Sequence, residues 1–182
     1  MSAFSDKVVL VTGGTSGIGR ATAVAFGEQG AHVVISGRRE TEGAESVALV
    51  EQAGGRGLFV RADVTNQEEI AALVARTVEH FGRLDFAFNN AGISLEAGSV
   101  TNTTGEIFDQ IMNVNARSVF FSMKHQIPAI LASGGGAVVN NASVLGLRPL
   151  SRNPVYNAKK TIILNSFYCL MRNIMQIYRM IE

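Results

Sequence analysis

The sequence predicts an α/β protein built on a doubly wound parallel sheet, and three observations carry that expectation. Short β-branched runs alternate with longer segments of helical period, which is how strands joined by crossover helices read in sequence. The runs are close to continuously apolar, as in Val8 to Val11, and this suits strands covered by helices on both faces. A glycine-rich turn, Thr12 to Gly19, separates the first strand from the first helix.

The elements follow in order. Val8 to Val11 is the first strand, Ile18 to Gln29 the first helix and His32 to Ile35 the second strand. A polar, Glu-rich helix from Thr41 to Gln52 ends at Gly54-Gly55, and Leu58 to Val60 forms a third strand with Asp63 near its carboxyl end. The helix from Gln67 to Phe81 stops at Gly82, and Leu84 to Phe88 is the fourth strand. One long helix is expected from Gly105 to Leu131, leading through Gly134-Gly135-Gly136 into a fifth strand, Ala137 to Asn140, with a last helix starting near Pro154. Pro128, Pro149 and Pro154 are expected at element ends, where a missing N–H costs least.

At 182 residues, 47% apolar and 17% charged, the chain suits one packed domain, residues 1–182, with no linker or repeat inside it. A formal charge of +1 excludes bulk electrostatic attraction to nucleic acid or an anionic membrane. Cys169 is the only cysteine, so no intrachain disulfide or thiolate zinc site can form, and a reducing, cytoplasmic setting fits. No apolar run reaches the roughly 18 residues a membrane span needs, and the first residues lack an export pattern. His32, His80 and His125 are scattered over different elements, so no metal site is expected.

The glycine turn occupies the place where backbone N–H groups and a helix N-terminus can face a pyrophosphate. Gly13 suits a tight turn, Gly17 close approach of the backbone to phosphate, and Gly19 close packing of helix on strand, while Thr15, Ser16 and Ile18 complete the surface offered to the ligand. Thr12, Gly13, Gly17 and Gly19 match TGxxxGxG, the turn motif of the short-chain dehydrogenase/reductase family, which this sequence resembles. The likeness continues through Asp63-Val64, Asn89-Asn90-Ala91-Gly92, and Tyr156 with Lys160 as YxxxK. It covers most of the chain, and an ordered set of motifs is far more specific than any one of them.

The resemblance implies a Rossmann-like sheet and hydride transfer between a nicotinamide dinucleotide and a small alcohol or ketone. It implies that Asp63 and Val64 meet the adenine edge, that Asn89 holds the neighbouring ribose and the strand geometry, and that Ala91 and Gly92 line the cofactor. The second strand usually ends in an acid that binds the ribose 2′-OH in NAD-binding members. Here the chain reads Ser36-Gly37-Arg38-Arg39, so Arg38 and Arg39 favour the 2′-phosphate of NADP, while pairing of the arginines with Glu40 and Glu42 would leave NAD open.

Tyr156 and Lys160, four residues apart, project from one helix face. A phenol titrates near about 10, and moving it into the neutral range takes about 3–4 kcal/mol of preferential phenolate stabilisation, within reach of an ammonium and a nicotinamide cation. By the resemblance, Tyr156 is the general acid/base, and Lys160 lowers its pKa and anchors the nicotinamide ribose. Ser143, thirteen residues before the tyrosine, holds the reacting oxygen, and Asn115, with Asn113 as a rival in register, is the asparagine whose kinked helix holds a water for proton relay. Ile93, Ser94, Leu145, Leu147 and Leu150 are candidates for an apolar substrate pocket or for loop packing.

After Lys160 the likeness stops. Family members add further strands and a substrate-covering loop, so the fifth strand is expected to be an open edge, and the apolar run of Met171, Ile174, Met175, Ile177, Met180 and Ile181 points to self-association as a homo-oligomer. Two function classes stand: an NADP-preferring (or NAD-dependent) alcohol dehydrogenase or ketone reductase, and a truncated, weak or inactive protein that binds dinucleotide or a partner subunit.

Overall fold

The computed structural model describes residues 4–95, 99–148, 154, 155, 157, 158, 161 and 163. They fall into two compact units: residues 1–92 with 117–141, and residues 93–116 with 142–182. Tyr156, Lys160, Pro149, Leu150, Cys169 and the apolar run from Met171 to Ile181 lie outside the described residues.

The first unit is a parallel five-stranded sheet with flanking helices, a Rossmann-like fold. Its strands are β1 (Val8–Thr12), β2 (His32–Gly37), β3 (Arg56–Arg61), β4 (Phe86–Asn89) and β5 (Ala137–Asn140), in the order β3-β2-β1-β4-β5. Helices α1 (Gly17–Glu28), α2 (Glu40–Gln52), α3 (Gln67–Phe81) and α5 (Ser118–Ala132) cover it, and α4 (Gly105–Met112) belongs to the second unit. The period of two in β1 explains the two cores. Val8 and Leu10 join Leu73, Val74 and Ile130 on the α3 and α5 side, whereas Val9 and Val11 join Ala23, Val33 and Val50 on the α1 and α2 side. Both faces are thus dry, which is why the strand is apolar from Val8 to Val11.

Helix α3 shows how local sequence sets a boundary. The Asn66 side chain accepts from the N–H groups of Glu68 and Glu69, and Gly82, at φ 77°, ends the helix in the left-handed conformation while its N–H bonds the Val78 carbonyl.

The expected single helix from Gly105 to Leu131 is instead interrupted. Asn113–Arg117 form a π-turn between α4 and α5, because the Asn115 side-chain amide takes the Ile111 carbonyl at 2.8 Å, the partner an α-helix would give to Asn115's own N–H. Pro128 also departs from expectation, since it lies inside α5. Its missing N–H would have served the carbonyl of Lys124, an exposed residue that water can satisfy. Pro154, Val155, Asn157, Ala158, Thr161 and Ile163 are helical. Among the described residues β5 pairs only with β4, and Val139 is exposed on that edge.

At the amino end of the sheet a buried carboxylate ties three elements together. Asp85 accepts two bonds from Arg83, at 2.7 and 2.6 Å, one from Lys7 at 3.2 Å and one from the Val8 N–H at 3.0 Å. Burial by itself raises its pKa, but the bonds from Arg83, Val8 and Lys7 outweigh it and hold the carboxyl below its ordinary value. A folded-state pKa below the unfolded one stabilises the fold above the unfolded value of about 3.9, and that stability is lost as pH falls through the folded value. Asp85→Asn is therefore expected to destabilise the chain by about 3 kcal/mol near neutral pH, and to flatten the acid limb of a stability-against-pH curve measured by urea unfolding. An unchanged acid limb would show that this carboxylate does not link protonation to unfolding.

Candidate functional site

The carboxyl ends of the strands lie level with one another, Thr12 opposite Ser36 and Asn89, and Asn89 opposite Asn140. Strand order reverses direction between β1 and β4, so the turn after β1 and the segment after β4 flank the switch point where open α/β sheets take ligands.

The turn is built by close backbone approaches that side chains would prevent. A Cβ on Gly19 would collide with the Gly13 carbonyl oxygen, and one on Gly13, at φ 65°, would come within 2.8 Å of the Ala91 Cα. Gly17 differs: its φ is 52° and nothing lies within 4 Å of where its Cβ would stand, so the backbone there faces open space. Ser16, the N-cap of α1, makes no side-chain cap bond, which leaves the helix's first N–H groups without a side-chain acceptor. Ile18 is exposed beside them.

Sequence reasoning assigned no role to three residues that hold this turn, two of them quoted within its motifs. The Asn90 amide donates to the carbonyls of Thr12, at 3.2 Å, and Gly13, at 3.1 Å, and its own oxygen accepts from Asn141. The Thr12 hydroxyl accepts from the N–H groups of Asn90 and Ala91. Arg20 donates to the Thr15 carbonyl at 2.7 Å while gripping Ser46, Glu45 and the Glu42 carbonyl on α2. Asn90 stands in the NNAG motif, and its polarity beside a buried strand end was the available signal.

Asn89 is buried and its amide is spent on Gln126 and Asn140, with Gln126 returning a bond to its oxygen. These bonds join β4, α5 and β5, so strand geometry is what this side chain holds. Ala91 is half-buried and Gly92 exposed.

At the end of β2 the two arginines differ. Arg39 bonds Ser16 and Thr15 and pairs with Glu42, whereas Arg38 is exposed and makes no hydrogen bond or ion pair with the described residues. Arg38 and Arg61 act electrostatically on Asp63. Burial raises the Asp63 pKa, but hydrogen bonds from the Thr65 N–H and hydroxyl, with these two positive charges, bring it below the ordinary carboxylate value. Glu69 accepts from the Asp63 N–H and fixes the backbone before Val64.

In the second unit, Asn115 is buried, accepts from the Ile93 N–H at 3.0 Å and donates to Ile111, while Asn113 is half-buried. Ser143 is half-buried with extended backbone, and its hydroxyl accepts from the Leu145 N–H at 3.3 Å. Ile93 and Leu145 are half-buried, Ser94 and Leu147 exposed. The geometry thus brings the glycine turn, Arg38, Arg39, Asp63, Val64 and Asn89 to Gly92 into one unit, and Asn115 and Ser143 into the other. His32 stacks on Phe81, with His80 edge-on to the same ring. No group of metal-ligating side chains is assembled among the described residues, and none of their helices is long and apolar enough to cross a membrane.

A five-stranded parallel sheet with an open glycine turn at its switch point, backed by a polar segment from the next strand, defines a Rossmann-type dinucleotide fold. The family model for short chain dehydrogenases matches residues 7–177, and the chain belongs to that family. A 3beta-hydroxysteroid dehydrogenase of Mediterraneibacter gnavus is 41% identical over 160 residues, covering 88% of this chain and 58% of that protein. A cyclohexanol dehydrogenase of an Acinetobacter species is 40% identical over 157 residues, covering 86% of this chain and 62% of the other. Among solved structures, a short chain dehydrogenase/reductase from Burkholderia phymatum, in complex with NAD, superposes with a TM-score of 0.92 at 29% identity, covering 97% of this chain and 63% of that one. The chain therefore spans about three fifths of the length of these relatives.

Proposed function

We propose that this chain is an NAD(P)-dependent oxidoreductase acting on an alcohol or ketone, with NADP preferred. The observation that carries the preference is the exposed Arg38 just after β2, which forms no ion pair or hydrogen bond with the described residues and stands where no acidic side chain ends the strand. The residues present fit a dinucleotide. Gly17 with Thr15, Ser16, Ile18 and the start of α1 would cradle the diphosphate, Asp63 and Val64 the adenine, and Ala91 and Gly92 the far side, braced by Asn89 and Asn90. Complexes with NAD among the related structures support a nicotinamide dinucleotide in general.

The nicotinamide, when bound, supplies or accepts the hydride. In this reading Tyr156 moves the proton at the substrate oxygen, Lys160 favours the phenolate and holds the nicotinamide ribose, and the Ser143 hydroxyl orients the substrate oxygen. The Asn115 amide, bonded to the Ile111 carbonyl and the Ile93 N–H, is the side chain assigned to proton relay. The names of the related dehydrogenases support a small cyclic or steroidal alcohol as the substrate class. A cytoplasmic setting and self-association belong to the same reading.

The test is calorimetric titration with NAD and NADP, followed by a screen of alcohols and ketones. Arg38→Ala is expected to weaken NADP by about tenfold or more and to leave NAD unchanged. Equal weakening of both would remove the basis for an NADP preference. A second reading, dinucleotide or subunit binding with weak or no turnover, would be selected by binding without turnover.

A further inference from the structure

We propose that Arg39 is a positioning residue that keeps the first turn of α1 open to the diphosphate and is not itself a phosphate receptor. The inference rests on the dinucleotide-binding reading above and divides the work of the two arginines within it.

An N-cap serine ordinarily turns its hydroxyl onto the second or third N–H of its own helix. Ser16 does not. Its Oγ accepts instead from Nη2 of Arg39 at 3.2 Å, and the same nitrogen reaches the Thr15 hydroxyl at 3.4 Å. Nη1 of Arg39 is held by Oε1 of Glu42 at 3.0 Å, so the guanidinium is strung between the first turn of α2 and the glycine turn. Arg20 acts in parallel on the Thr15 carbonyl and the Glu42 carbonyl. With the Ser16 hydroxyl drawn aside, the leading N–H groups of α1 stay available at the positive end of the helix dipole.

Glu42 also makes Arg39 a poor receptor for a further phosphate, because its carboxylate already neutralises the guanidinium and would repel a second anion brought against it. Arg38 forms no ion pair with the described residues, and only its longer-range charge reaches the Asp63 carboxylate. Two adjacent arginines that look equivalent in sequence therefore have different tasks.

The experiment is titration of the full chain with NAD and with NADP, for the unmodified protein and for Arg38→Ala, Arg39→Ala, Arg39→Lys, Ser16→Ala and the Ser16→Ala/Arg39→Ala pair. Arg39→Ala is expected to weaken both dinucleotides by the same factor, about three- to tenfold, with Arg39→Lys recovering part of the loss. In the Ser16→Ala background the same change is expected to cost less than about twofold, because no hydroxyl remains to fold back onto the helix. Arg39→Met, which keeps the alkyl stem, replaces Arg39→Ala if the latter lowers the melting temperature. Weakening of NADP alone by Arg39→Ala would make Arg39 a phosphate receptor and overturn the proposal. So would an undiminished cost in the Ser16→Ala background. Failure of Arg38→Ala to discriminate the cofactors would end the NADP preference while leaving an equal Arg39→Ala effect standing. Absence of binding by the unmodified chain would end both.

Discussion

Tyr156→Phe is expected to lower kcat for alcohol oxidation by about three orders of magnitude while leaving dinucleotide affinity within about twofold. The phenol is the group assigned to carry the substrate proton, and phenylalanine keeps the ring but deletes the only titratable atom. Loss of rate without loss of binding separates proton transfer from a packing role. A companion Lys160→Met should shift the pH dependence of the rate upward if, as proposed, the ammonium brings the phenol toward neutral pH. Measured steady-state rates across pH, with binding followed separately, decide the matter. A Tyr156→Phe protein that kept its rate would remove the acid/base assignment altogether.

Gly19→Val is expected to destabilise the chain by about 2–4 kcal/mol and to abolish dinucleotide binding. The cause is local and visible. A Cβ at this position runs into the Gly13 carbonyl oxygen, which also accepts the Asn90 amide, so the added atoms push apart β1, α1 and the segment after β4 together. Urea unfolding reports the first effect and calorimetric titration the second. Near-native stability would mean that the turn relaxes without cost and that the close approach is incidental. Gly17→Ala offers the contrast: its surroundings are open, so its penalty comes mainly from φ 52° and is expected to be about 1 kcal/mol.

Much of the sheet could be read directly from the residues, because a strand dry on both faces leaves an unbroken apolar run such as Val8 to Val11, and a left-handed helix end leaves a glycine such as Gly82. The parallel five-stranded fold follows from that pattern. The interruption of the long helix was legible only through the family resemblance, which puts a kink at the asparagine matched by Asn115; helical period alone runs on from Gly105 to Leu131, and the cause shows only once the Ile93 N–H and the Ile111 carbonyl are placed around that side chain. Pro128 misled for a related reason: water reaching the exposed Lys124 carbonyl offsets part of the cost of a proline inside α5, and that exposure is a property of the fold. At the site, motif spacing located the turn, but which arginine is committed depended on three-dimensional neighbours. Arg38 and Arg39 are indistinguishable in the string and differ in the fold because only one reaches Ser16 and Glu42.

The central strand has a further consequence for biosynthesis. Val8 is bonded to the Asp85 carboxylate 77 residues away, and β4 lies against one whole side of β1. At about 5–20 residues per second, the ribosome takes roughly 4–15 s to deliver that neighbour. Throughout that delay the greasiest segment of the nascent chain has one flank unoccupied, so chaperone demand should peak early in translation and drop once Phe86 to Asn89 have left the exit tunnel.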